Sequence, residues 1–368
     1  MSALQLGVWS PVHGPRAAAQ DPDEPYDASW EHNRDTILEA EALGFDATLV
    51  AQHTINPHLP SHDQLETWTS AAALAALTSR IHIIAAIKPF LFHPVVLAKM
   101  ALQIEAIARG RFAINLINAW NRPELEKAGI PFLEHDERYV YGREWISVVE
   151  PLLRGEHVTH QGKYFTLDDY ELFPKDAYRA RPLIYVGGES EPARALVADH
   201  GDVWFINGQS LPTVQALIAD VRARPRRGGP LRFGLSAFVI ARETEADALD
   251  YHRHLLALAG KDAQAKQFQK NNTDSNVVMF QTLSKLSGVG TNGGTAAGLV
   301  GSYAQVAERI DAFHRAGIDT FMLQFQPLRR EMRQFALRVF PLLGRAAPPL
   351  VSASADQSLL RASRHVDA

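Results

Sequence analysis

Short, almost continuous apolar runs alternate along the chain with longer stretches in which apolar positions recur every three or four residues. Runs such as IHIIAAI and FAINLI read as strands buried on both faces, and the longer stretches as helices packed by one face. Strands are predicted at 5–9, 47–51, 81–87, 112–117, 183–186, 203–206, 233–240 and 320–325. Helix signals lie between them. Ser29 stands at the start of SWEHNRDTILEAEALG, with Gly44 as its stop. Pro94 opens a helix expected to end at Gly110, and Ser302 precedes YAQVAERIDAFHRAG, stopped by Gly317. The segments EALGFDATLV and HRAGIDTFMLQF echo one another, as copies of one βα unit do. Eight strands alternating with helices predict an α/β fold of the (β/α)8 TIM-barrel type over residues 1–343.

Three segments break the alternation. Residues 155–174 read as an inserted β-hairpin with Gln161-Gly162 at its turn. Residues 261–301 are polar and Gly-rich, too long for an ordinary connection, and are expected to form a lid-like loop. The tail, 344–368, lacks a sustained apolar face and is expected to be flexible.

Composition narrows the chemistry. The 368 residues include no cysteine, which excludes disulfide frameworks, thiolate nucleophiles, Cys-bound zinc and iron–sulfur clusters. Lys plus Arg number 37 against 41 Asp plus Glu, a net charge of −4, and no basic stripe offers a nucleic-acid footprint. No apolar run approaches the ~18 residues of a membrane span, and MSALQLGVWSPV reads as a first strand rather than a leader, so a cytoplasmic protein is expected. His53, His58, His62 and His93 lack metal-ligand spacing, and no metal is expected. No G-x-S-x-G elbow supports Ser-type hydrolysis.

In a barrel, chemistry collects where strands end. The second strand ends in Gln52-His53-Thr54, and the fourth places Asn115, Asn118, Trp120 and Glu124 at or just past its end. His53 is a candidate acid or base, or an orienting group. Asn115 interrupts an apolar strand; a buried amide needs partners, either backbone groups or the polar edge of a heterocyclic cofactor. Trp120 is a stacking platform or core. Gly187 and Gly188 end the fifth strand before Ser190 begins a helix, an arrangement that can hold a phosphate or simply make a tight turn. The sixth strand ends near Asn207, and Arg138 and Tyr139 share the start of one helix.

The segments GFDATLV, ALTSRIHIIAAIKP, GRFAINLINAWNRPELEKAGIPFLEHDERY, YVGGESEPA, GLVGS and FMLQF…FPLL, in that order, resemble the bacterial luciferase-like flavin monooxygenases. Within them the chain is most similar to the group of dimethyl sulfone, alkanesulfonate and pyrimidine monooxygenases. The resemblance implies a (β/α)8 barrel holding reduced FMN (FMNH2) across its C-terminal mouth. It further implies a two-component system in which a separate NAD(P)H:FMN reductase delivers the flavin, O2 is the co-substrate, and the oxygenase is a dimer or tetramer. Position by position it implies cofactor contacts from Gln52, His53, Asn115, Glu124, Arg138, Tyr139, Gly187, Gly188 and Ser190. Trp120, Asn115 and His53 would serve catalysis, and Trp120, Phe238, Phe325 and Asn207 the substrate.

Departures bear on the substrate. Alkanesulfonate oxygenases carry an Arg-x-His pair where this chain has Ser236 and Phe238, a loop Arg near its Thr291-Asn292, and a Cys in the region of its AQHTINP. A buried sulfonate would lose cationic partners here, so a small neutral organosulfur compound such as a sulfone, or a heterocycle, is expected. Alkanesulfonate oxygenation and a deazaflavin-dependent oxidoreductase on the same barrel are the alternatives.

Overall fold

The structure, a computed structural model, describes residues 3–58, 60–118, 120–261 and 289–348. Residues 262–288 of the expected lid-like loop and 349–368 of the expected tail lie outside the described residues. Its elements run β1 (Gln5–Trp9), α1 (Trp30–Leu43), β2 (Ala47–Val50), α2 (Thr67–Leu77), β3 (His82–Ile87), α3 (Pro94–Ala108), β4 (Phe112–Leu116), α4 (Arg122–Glu126) and α5 (His135–Leu153). There follow β5 (Val158–Gln161), β6 (Thr166–Tyr170), β7 (Leu183–Gly187), α6 (Glu191–His200), β8 (Val203–Ile206), α7 (Leu211–Arg222), β9 (Arg232–Phe238) and β10 (Ile240–Arg242). The chain continues through α8 (Glu245–Lys261), β11 (Val300–Ser302), α9 (Tyr303–Ala316), β12 (Thr320–Gln324) and α10 (Leu328–Arg338).

Eight strands close into an all-parallel barrel in the order β1-β12-β9-β8-β7-β4-β3-β2. The expected strand 233–240 divides. Val239 N still donates to Gln324 O, but Ile240 turns out of the barrel and β10 pairs in parallel with β11. The hairpin insertion forms from β5 and β6, with Gln161 still paired to Thr166, so its turn lies one residue later than expected, at 162–165. No helix among the described residues is long and apolar enough to cross a membrane.

Local signals act as their chemistry requires. Ser29 Oγ accepts from His32 N at the head of α1, and Gly44 closes that helix with φ 91°. Ser302 and Gln305 form a reciprocal capping box on α9, which Gly317 ends at φ 114°. In α3 the left-handed cap falls on Arg109, one residue before the expected Gly110.

Strand parity builds the interior. Trp9, Ala47, Leu49, Ile84, Ala113, Tyr185, Val203, Phe205 and Met322 point inward and pack on one another, while Phe321 and Leu323 face the helices. Gly7 lies opposite Met322, and a Cβ there would stand 2.7 Å from both Met322 Sδ and the Ala47 carbonyl oxygen. Gly7→Ala is therefore expected to lower stability by about 1–3 kcal/mol with the fold retained, read as a shift of the urea or thermal unfolding midpoint.

Candidate active site

A cavity of about 270 Å³ opens at the C-terminal mouth of the barrel. Its wall takes Trp9, His13 and Arg16 from β1 and the loop after it, Gln52, His53, Asn56 and His58 from beyond β2, and Asn115, Asn118 and Trp120 from the end of β4. Gly187 and Gly188 at β7, Asn207 after β8, Tyr139 of α5 and the segment 289–292 complete it.

The floor beside β3 is organised by a buried charge cluster. Lys88, at the end of β3, is fully shielded from solvent and forms an ion pair with Glu124 of α4. Its Nζ also donates to His53 Nδ1 at 3.1 Å, which leaves the His53 proton on Nε2. Glu124 Oε1 accepts from Thr54 N at 2.7 Å, and Lys88 N donates to Gln52 Oε1 at 2.5 Å. These bonds tie the β2 loop, β3 and α4 into one unit. Burial pulls the Lys88 ammonium down, opposed by Glu124. Burial alone would raise the Glu124 carboxyl, but the Lys88 charge and the hydrogen bonds hold it down at about 2. Desolvation, reinforced by Lys88, lowers His53 to about 4, so the ring is neutral above that pH. The expectation for this region lacked Lys88. Its signal was legible as one cation closing the apolar run IHIIAAI.

Asn115 points inward with Ala113, and its buried Oδ1 has no hydrogen-bond partner among the described residues. An unsatisfied buried acceptor costs about 1–3 kcal/mol, so a ligand N–H is the natural complement. Across the β4–β7 seam, a Cβ on Gly187 would come within 2.9 Å of Ile117, and one on Gly188 within 3.1 Å of Tyr139 Oη. Gly188 also has φ 111°, so only glycine leaves this part of the wall open. Ser190 caps α6 just behind, with its Oγ buried and unpartnered among the described residues. Glu189 accepts from Asn207 N at 2.8 Å and from Gln209 Nε2 at 2.6 Å, and burial pushes its carboxyl up to about 7. An unpaired acceptor, a glycine cradle and an unpaired hydroxyl at a helix start fit the polar ring edge and phosphate of FMN.

Of the residues expected at the site, Gln52, His53, Asn115, Trp120, Tyr139, Gly187, Gly188 and Asn207 meet at the cavity wall. Glu124, Arg138, Ser190, Phe238 and Phe325 are not on it. Arg138 is buried, donating from Nε to Asn118 O at 3.2 Å and from Nη1 to Leu133 O at 2.7 Å, which makes it a support for the β4 loop. Phe238 ends β9 behind the 289–292 segment, where a Cβ on Gly290 would be 2.7 Å from its ring. That segment separates it from the cavity. Phe325 has the outward parity of β12 and packs on Phe45 and Phe335, while inward-facing Gln324 holds the mouth. Phe238 and Phe325, expected as substrate contacts, thus stand off the wall of this cavity.

Residues absent from the expectation, Arg16, His13 and His58, form the β1 side. The His13 and His58 rings meet edge to face at 5.2 Å, and burial, with neighbouring cations, lowers His58 to about 4. Against the ordinary 6.5, the unfolded chain takes up a proton that folded His58 refuses as pH falls from 6.5 to about 4. His58 thus costs no stability above pH 6.5 and destabilises the fold progressively across that window. His58→Gln should flatten the acid-side loss between those limits, measured by urea unfolding at a series of pH values. Lys88→Met leaves Glu124 buried without its ammonium and should cost about 3–5 kcal/mol, part of which returns when Glu124→Met is added, read by the same unfolding assay.

The model of the family described as luciferase-like monooxygenase matches residues 4–320. The FMNH2-dependent dimethylsulfone monooxygenase of Pseudomonas fluorescens (strain Pf0-1) is 31% identical over 352 residues, 93% of this chain and 94% of that protein. The enzyme of the same description from Pseudomonas putida is 32% identical over 326 residues, 86% of this chain and 89% of its own. Among solved structures, a long-chain alkane monooxygenase superposes with a TM-score of 0.78 at 20% identity, covering 94% of this chain and 92% of that one. Its likeness concerns the fold alone. A family match over most of the barrel, together with relatives aligned nearly end to end, means that this chain belongs to the luciferase-like monooxygenase family.

Proposed function

We propose that this chain is the oxygenase component of a two-component, FMNH2-dependent monooxygenase acting on a small sulfone-type organosulfur compound. A separate reductase supplies the reduced flavin. The observation that carries the reading is a pair of unsatisfied groups at the β4–β7 side of the site, Asn115 Oδ1 at the cavity wall and Ser190 Oγ behind Gly188. The first offers an acceptor to a ring N–H, and the second, with the α6 N-terminus, offers donors to a phosphate. That two Pseudomonas relatives are described as FMNH2-dependent dimethylsulfone monooxygenases supports the reading of cofactor and substrate.

Reduced FMN, when bound, supplies the electrons that activate O2. The protein's work is positioning and exclusion. Asn115 and Tyr139 orient the cofactor, and Gly187 and Gly188 let it approach the backbone. His53, neutral at the pH of the cell and held at Nδ1 by Lys88, presents a fixed tautomer to the cavity it lines. Trp120 meets His53 edge to face at 5.4 Å and, with Trp9, Leu49 and Phe205, gives the cavity apolar surface that keeps water from the reacting centre.

Anaerobic titration should show reduced FMN binding in the micromolar range, weakened about tenfold by Asn115→Leu or Ser190→Ala. Admission of O2 with dimethyl sulfone should then incorporate labelled oxygen into product. Absence of reduced-FMN binding would defeat the proposal.

A further inference from the structure

Arg16 is the charge that the cofactor reading leaves unexplained. It follows β1, lines the cavity, and stacks on the Trp9 indole with its guanidinium carbon 4.5 Å from the ring centroid. Its Nη2 donates to Ser10 O at 3.1 Å and its Nη1 to Thr291 Oγ1 at 3.2 Å. A guanidinium has five N–H groups, so with these two used, three have no protein acceptor among the described residues. No carboxylate pairs with it among those residues, although most other arginines of the fold have one. Burial draws Arg16 down to about 9, which leaves it charged at neutral pH.

The group is held still. Thr291 N donates to Gln324 Oε1 at 2.9 Å, and Gln324 Nε2 donates to Thr291 O at 2.8 Å and to Ser236 Oγ at 3.0 Å. Ser236 Oγ also accepts from Trp9 Nε1 at 3.3 Å. Trp9, Ser236, Gln324, Thr291 and Arg16 therefore close a ring in which each polar link fixes the next and the stack completes the circuit. Behind the wall Lys88 is paired with Glu124, and on it burial keeps His13, His53 and His58 neutral.

Arg16 follows the strand opposite the glycine cradle across the cavity they share. In the barrel order, β7 is four strands from β1 in either direction, the greatest separation that eight strands allow. A phosphate at Ser190 is thus on the opposite rim. We infer that Arg16 is the substrate-anchoring residue, its fork of N–H donors gripping the paired oxygens of a sulfonyl group against the Trp9 face. This rests on the proposed sulfone oxygenase reading, and it names the residue and the substrate atoms that carry recognition. A guanidinium suits such oxygens because it presents parallel donors in one plane, and a neutral sulfone still carries two strong acceptors.

The test separates anchor from reaction. In calorimetric titrations of the full chain loaded with FMN, methanesulfonate serves as a probe whose oxygens are sulfonyl acceptors like those of a sulfone, with a third oxygen and a negative charge besides. Wild-type protein should bind it. R16Q should weaken it tenfold or more, and R16K, which keeps the charge and loses the fork, should fall between, with FMN affinity in both variants within about twofold of wild type. T291V leaves Arg16 in place and removes one of its acceptors. It should weaken methanesulfonate about threefold, so the inference does not hang on the folding of R16Q. With reductase, FMN and O2, R16Q should raise KM for dimethyl sulfone about ten- to a hundredfold, with a smaller effect on kcat. Unchanged methanesulfonate binding in R16Q, or a parallel fall in FMN affinity that makes Arg16 a cofactor ligand, would overturn the inference. If the wild type binds methanesulfonate through Arg16 yet oxygenates no sulfone, the anchor stands and the proposed reaction falls.

Discussion

Closure of the barrel is the constraint on which everything else depends. A closed ring of eight parallel strands has no edge, so alternate side chains of every strand are committed to one shared interior. Lower in the barrel that interior is filled by Ala47, Ile84, Ala113, Val203 and Met322. At the C-terminal layer the same inward parity delivers Trp9, Asn115, Ser236 and Gln324. Polar groups there are cut off from water and from the helices, so they must bond to one another or to a ligand. Ser236 and Gln324 bond within the wall, whereas Asn115 Oδ1 has no partner among the described residues.

Two cations near the mouth, one buried and one partly buried, illustrate the same rule with opposite outcomes. Lys88 is compensated at once by Glu124, and the pair acts as a rivet between β3, α4 and the β2 loop. Desolvated charges repay their cost only with good geometry and further hydrogen bonds, which Thr54 N and His53 supply here. Arg16 has no such anion among the described residues. Its N–H groups face the cavity from the β1 rim, opposite the hydrogen-bonding pole at β7 and α6. The site thus has two distinct ends, one shaped by glycine and an unpaired hydroxyl, the other by a fixed positive fork.

This polarity modifies the expectation drawn from Ser236 and Thr291. Read as replacements for charged residues, they implied a mouth without cations. In the fold they instead position a cation that arrives from a different loop, 275 residues from Thr291 in sequence. A neutral sulfone remains compatible with that arrangement, because its oxygens are acceptors that need no formal charge. Phe238 and Phe325 stand off the cavity wall for a related reason. One is screened by the Gly290 turn and the other has the outward parity of its strand.

The linear pattern alone determined the eight barrel strands to within a residue or two at most of their ends, because burial on both faces leaves continuous apolar runs that no other element of this length produces. It also determined the capped helices at Ser29 and Ser302, whose bonds are local, and the strand-end positions of Gln52, His53, Asn115, Gly187 and Gly188. Only the tertiary structure decided which charges are compensated. Whether Lys88 meets Glu124, or Arg16 meets Trp9, Ser10 and Thr291, depends on contacts between strands and loops remote in sequence. Desolvation and the neighbouring charge together then set the protonation of His53 and Glu124.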